Sequence, residues 1–196
     1  HLHQHLQRVA IAVQPVGFKG LNWLVFRNGC QHRVVLGAAV GRNQQSLQGP
    51  AQDLVRLGEH LGIELRGVMG HSFGGKVALA YAALREGELD EVWVLDSTPS
   101  TRVDGMRTVG AAHVLDTLDK LPAEFPSRDF FFEHMTSSGM NRPEIDWLAM
   151  NVRRDGDAFR FRLDLSTIRA LLEDYFARDL WFVVERNDGR CRLGFV

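Results

Sequence analysis

One pentapeptide constrains this chain more than any other stretch. Gly70-His71-Ser72-Phe73-Gly74 has the spacing G-x-S-x-G. A serine on a very sharp turn between a strand and a helix holds a strained backbone and projects its hydroxyl clear of the sheet. Such a turn crowds the residues two before and two after the serine, and Gly70 and Gly74 meet that demand. A short strand is predicted near residues 65–69, and a helix runs from the turn to about Glu86. That helix is rich in small residues (Gly75, Ala78, Ala80, Ala82, Ala83), so it packs close to a sheet. Its N-terminus brings positive partial charge beside Ser72. Two other readings compete. The pentapeptide alone is also an ordinary Gly/Ser turn. Gly70 and Gly75-Lys76 fit the phosphate-loop spacing G-x-x-x-x-G-K, but Val77 stands where Ser or Thr should hold magnesium.

The whole chain sets bounds. Its 196 residues make one domain, or one domain with an insertion. Apolar residues make up 45%, ample for a core, and the net charge of −1 argues against nucleic acid as a partner. Two cysteines, Cys30 and Cys191, do not make a disulfide framework; a reduced, intracellular compartment, cytoplasmic or organellar, is expected. No apolar run approaches the roughly 18 residues of a membrane span. The chain starts at His1 rather than Met, so its beginning is read as missing and a targeting segment stays open. His1, His3 and His5 would share one face of a strand and could bind a metal weakly. The plainer reading is a frayed terminus, and no metal or organic cofactor is expected.

Along the chain, Val9–Val13 reads as a buried strand. Residues 14–23 form a glycine-bearing loop, of a kind that can aim backbone N–H groups at a neighbouring site. Trp23–Phe26 reads as a short helix or its start. Arg33–Leu36 is the next strand, and residues 37–49 read as loop. Pro50 opens a helix with Leu54, Leu57 and Leu61 on one face and Gly62 as its cap. Glu91–Leu95 is the clearest strand, ending at Asp96-Ser97-Thr98-Pro99. Ligands of open α/β sheets sit at the carboxyl ends of strands. Ser72 and Asp96 would both lie there, on adjacent strands, where an acid supporting a nucleophile's base belongs. Asp96 alternatively caps its own loop.

Beyond Asp96 the strand–helix rhythm stops. Helices are expected over Gly105–Leu121, from a Ser127 cap to Met135, over Pro143–Val152, and from a Ser166 cap through a stripe of Ile168, Leu171, Leu172, Tyr175 and Phe176. Arg153–Asp157 reads as a turn and Phe159–Leu163 as a half-buried strand. Phe130-Phe131-Phe132 packs or lines a pocket, with packing preferred. Residues 179–196 are ambiguous.

The turn at Ser72, the strand ending in Asp96 and the helical insertion together resemble the α/β-hydrolase family, in its small esterase-like branch with a helical cap. Gly70-His71-Ser72-Phe73-Gly74-Gly75-Lys76-Val77 and Val92-Trp93-Val94-Leu95-Asp96-Ser97-Thr98-Pro99 carry the resemblance, which covers residues 50–185. Trp147–Val152 and the Phe161–Trp181 segment look like that branch's cap. The resemblance implies a mostly parallel sheet with flanking helices, incomplete here, and a helical cap. It places the core in residues 1–100, the cap in 101–180, and the start of a truncated C-terminal core part in 181–196. It implies hydrolysis of carboxylic esters or related acyl bonds, with Ser72 as nucleophile, Asp96 as acid, and the N–H groups of Phe73 and Phe18 as oxyanion hole. A small apolar ester or acyl substrate is expected; the oligomeric state stays open.

Three departures accompany this. Val16-Gly17 replaces the family's His-Gly at the oxyanion loop. Leu36–Arg42 lacks the family's Asp-x-Arg-x-His-Gly. The family's histidine follows the last strand, whereas after Ser72 this chain has only His113 and His134, both in predicted cap helices. The general base is therefore expected to be absent and activity impaired. A non-catalytic fragment or binding module, and a related carbon–carbon bond hydrolase, are the alternatives.

Overall fold

The strand next to one edge of the main sheet is the one whose alternation is plainest. Val92 and Val94 bury completely while Glu91, Trp93 and Leu95 stay half-buried, so one face of Glu91–Leu95 meets the core. The computed structural model describes residues 9–14, 21–27, 34–38, 46–108 and 110–196, the first three segments and Thr108 by backbone alone. In chain order the elements are β1 (Val9–Gln14), β2 (Leu21–Arg27), β3 (Val34–Ala38), α1 (Gln48–Leu61), β4 (Leu65–His71), α2 (Phe73–Leu84) and β5 (Glu91–Leu95). Then come α3 (Gly105–Thr108), α4 (Ala111–Asp119), α5 (Arg128–Ser137), α6 (Arg142–Ala149), β6 (Val152–Asp155), β7 (Ala158–Phe161), α7 (Leu165–Ala177), α8 (Trp181–Glu185) and β8 (Arg192–Phe195).

Among the described residues the main sheet has the order β3-β2-β1-β4-β5-β8. β1, β4, β5 and β8 run parallel, and β2 and β3 complete the sheet as antiparallel neighbours. This is the expected α/β class with a mostly parallel sheet. Helix α2 packs on β4 and β5 and against α1.

Several local expectations change. Trp23–Phe26 is not helix but part of β2, paired to β1 through Val13↔Trp23 and Ala10↔Phe26 and to β3 through Trp23↔Leu36. Four consecutive apolar residues carry no period of their own, and the neighbouring strands decide. Gly37 and Ala38 extend β3 into the expected loop, and α1 starts at Gln48. The buried stripe of α1 is Ala51, Leu54 and Gly58, with Leu61 left exposed. Gly110, at φ 71°, splits the helix expected over Gly105–Leu121 into α3 and α4. The cap of α7 is Asp164 rather than Ser166; its carboxylate accepts the Ser166 and Thr167 N–H groups at 3.1 and 3.2 Å. The expected turn over Arg153–Asp157 is mostly strand, since β6 and β7 form a hairpin around Gly156. Residues 179–196 supply α8 and the edge strand β8.

Apolar side chains gather in two clusters. One joins α1, β4, α2 and β5 to Tyr175 and Phe176 at the end of α7 and to Leu180 just before α8. The other joins Phe125, Phe131, Met135, Ile145, Leu148 and Val152. Phe131 stacks on Phe125 and Phe161 at 6.1 and 6.0 Å and is fully buried, so this phenylalanine packs a core.

Lys76 of α2 is buried in the first cluster, 1% exposed. Its Nζ donates to the carbonyls of Ser100, Tyr175 and Arg178, each at 2.7 Å. All three ammonium protons are thereby used. Burial pushes its pKa down to about 8, partly opposed by Asp179 and Asp174. The unfolded chain keeps this proton up to the ordinary value of 10.5. Between those limits the unfolded state holds more protons, so stability from this group increases as pH rises. Burial also raises the Tyr81 and Cys191 pKa values, which act in the opposite sense. Comparison with Lys76→Met cancels them. Urea denaturation at stepped pH is expected to show the stability difference, wild type minus Lys76→Met, growing by on the order of 3 kcal/mol from pH 8 to 10.5.

Candidate functional site

Ser72 ends β4 and opens α2, with φ 53° and ψ −120°. Its N–H donates to the Leu95 carbonyl at 2.7 Å, which pins the turn to the end of β5. The local crowding is severe. A Cβ on Gly70 would lie 1.9 Å from the Gly74 carbonyl oxygen, and one on Gly75 would lie 2.7 Å from Ser97 Cβ. The strand can therefore reverse into the helix, and the helix can lie on β5, only because these positions lack side chains.

Among the described residues two that are not glycine have positive φ: Ser72 and Asp96, the latter at 48°. They are the two side chains singled out in the sequence. Parallel pairing sets them side by side, since His71 is in register with Leu95. Strained backbone of this kind costs on the order of 1–3 kcal/mol per residue and gathers at sites of function. Asp96 N–H donates to the Val196 carbonyl at 2.7 Å, anchoring its turn to the strand on the other side. The carboxylate is 86% exposed and lies 3.6 Å from His71 Nε2. The side-chain cap within that loop is Thr98, whose hydroxyl accepts the Ser100 N–H at 3.2 Å.

Phe73 is the first residue of α2, where a backbone N–H has no partner within its helix. Its ring lies 5.8 Å from that of Tyr175, whose hydroxyl is 3.2 Å from Ser97 Oγ. Phe18, Val16-Gly17, Cys30 and the three histidines at the start of the chain lie outside the described residues. His113 is exposed on α4, and His134 stacks on Phe130 in α5 at 6.3 Å. Among the described residues no group of three or more acidic, cysteine or histidine side chains is placed to hold a metal, and no helix is long and apolar enough to cross a membrane.

Two features escape a reading of the sequence. In the sequence Lys76 stands out only for its phosphate-loop spacing, yet it is the buried tie between α2, the loop after β5 and the end of α7. The one signal is its place in a helix otherwise made of small and apolar residues. The approach of His71 to Asp96 depends on the strand register, which no local pattern encodes.

No family model matches the sequence. No curated protein matches it either. Solved structures do match. An esterase from a marine microorganism superposes with a TM-score of 0.69 at 14% identity, over 95% of this chain and 85% of that one. The chain has the α/β-hydrolase fold. A carboxylesterase structure from the ammonia-oxidizing thaumarchaeon Nitrososphaera gargenis gives a TM-score of 0.53 at 12% identity, over 97% and 81% of the two chains. An α/β hydrolase from Novosphingobium aromaticivorans gives 0.51 at 14%, over 98% and 82%. Identities this low speak for the fold alone. Within that fold, Ser72 and Asp96 stand at the carboxyl ends of neighbouring parallel strands.

The crowding at Gly70 gives a direct test. Gly70→Ala is expected to lose about 4 kcal/mol or more, because backbone rather than a movable side chain occupies the space. The urea midpoint and the yield of folded protein report it, and Gly87→Ala, where a Cβ meets open space at positive φ, serves as a milder control.

Proposed function

We propose that this protein is a serine hydrolase of carboxylic esters or related acyl bonds. The observation that supports it most is the pairing of two strained residues, Ser72 and Asp96, at adjacent strand ends beside the start of α2. The turn at Ser72 is then a nucleophile elbow. Ser72 Oγ attacks the substrate carbonyl, and the Phe73 N–H, joined by that of Phe18, receives the charge that develops on oxygen. In the complete machinery a histidine oriented by Asp96 would accept the serine proton and return it to the departing alcohol, and water would then cleave the acyl-serine by the same route. The similarity to an esterase and to a carboxylesterase in fold fits this chemistry. Residues 101–180 would form the cap over the site.

The general base is the weak member of this machinery. After Ser72 the sequence offers only His113 and His134, and neither is expected to serve. Among the described residues the histidine beside Asp96 is His71, on the strand residue just ahead of the nucleophile. Without a base in reach, a serine hydroxyl is a poor nucleophile. The substrate is a small ester. Phe131, buried in the cap's own cluster, gives no support to an apolar acyl preference. A non-catalytic binding module is the second reading, favoured by the open setting of the Asp96 carboxylate.

Hydrolysis of p-nitrophenyl butyrate by the 196-residue chain and by Ser72→Ala decides between them. We expect slow turnover that falls to the buffer background in the variant. Equal rates in two folded proteins would favour the binding module. Turnover of a β-diketone but not of the ester would point to carbon–carbon bond cleavage.

A further inference from the structure

Lys76 sits one helical turn after Ser72, and its three acceptors come from the two segments that flank the site. Ser100 closes the loop that begins with Asp96, while Tyr175 and Arg178 end α7. Tyr175 touches both sides of the site: its ring faces Phe73 at 5.8 Å, and its hydroxyl meets Ser97 at 3.2 Å. The helix bearing the nucleophile, the loop bearing the acid and the residue behind Phe73 therefore meet at one ammonium group. A lysine that only stabilised the fold would not need its acceptors drawn from these segments.

We propose that Lys76, in its ammonium form, is a positioning residue that holds the Asp96–Ser100 loop and Tyr175 in register with Ser72. This rests on the acyl-transfer reading of Ser72. The ammonium matches three carbonyls with three protons. The neutral amine has two protons and a lone pair, which repels the third carbonyl. Release of the proton thus frees either the acid's loop or the end of α7. The charged groups acting on Lys76 are Asp174, Asp179 and Arg178 from the end of α7 and the segment after it, and Arg102 from the segment after β5; the Tyr175 ring stands 5.0 Å from Nζ.

The consequence separates positioning from mere stability. Over the range where Lys76 loses its proton, global stability from this group rises, whereas the reactivity of Ser72 falls. The rate of Ser72 labelling by a fluorophosphonate, read by intact mass and peptide mapping, is to be measured from pH 6.5 to 9.5 beside the urea midpoint at each pH. We expect wild-type labelling to drop about tenfold above pH 8 while the midpoint does not fall with it. Lys76→Arg, which stays charged, is expected to lack that drop; the wild-type profile stands even if the variant fails to fold. A labelling rate that stays level or rises from pH 7.5 to 9.5 in wild type would overturn the positioning role and leave the Ser72 reading intact. No labelling of Ser72 at any pH in folded wild type would overturn the acyl-transfer reading itself, and the positioning role with it.

Discussion

The steric constraint at Gly70 governs the arrangement of everything around it. The Gly74 carbonyl stands where a Cβ on Gly70 would be. That contact lets the chain leave β4 and enter α2 within one residue. Ser72 then takes a positive φ, its N–H finds the Leu95 carbonyl, and the helix falls onto β5 with Gly75 against Ser97. The approach of α2 to the sheet in turn fixes where Lys76 projects. A larger residue at either glycine would push the helix off the strand, and the loop from Asp96 to Ser100 would lose its contact with the helix.

A buried ammonium is costly unless every proton has a partner. Here the partners are main-chain carbonyls from distant segments, so the cost is offset only when the whole assembly has formed. Asp174 makes a related tie: its carboxylate accepts the Leu47 N–H at 2.7 Å at the start of α1 and also pairs with Arg178. The end of α7 is thus joined by polar contacts to both helices α1 and α2, in addition to the apolar packing of Tyr175 and Phe176. Hydrophobic area alone would tolerate small shifts of α7. Hydrogen bonds aimed at one ammonium and one carboxylate do not.

What could be read from the sequence followed from how local each determinant is. β4, α2 and β5 were legible because their signals lie within a few residues: small residues around a serine, and alternation in Glu91–Leu95. The α/β class followed from these. β2 was misread because Trp23–Phe26 is uniformly apolar, and only its pairing to β1 and β3 makes it strand. β8 was illegible for the same reason, since Arg192–Phe195 acquires its conformation from β5. As a cap for α7, Asp164 competes in the sequence with Ser166, which offers the same chemistry two residues later. At the candidate site, Ser72 and Asp96 were singled out from motif and position. The burial of Lys76 was not, because its acceptors lie up to 102 residues away along the chain.

The two strained residues illuminate one another through the sheet. Parallel pairing places His71 level with Leu95, so the residues that follow, Ser72 and Asp96, leave neighbouring strands at the same height. Each strand end is then held by its neighbour: Ser72 N–H by the Leu95 carbonyl, and Asp96 N–H by the Val196 carbonyl. These hydrogen bonds offset part of the strain, and they do so only while β4, β5 and β8 keep their register. Strain at the two positions is therefore not independent. A shift of one strand would relax one turn and unfasten the other, so the geometry of the serine and that of the acid are set together by the sheet rather than separately by their loops.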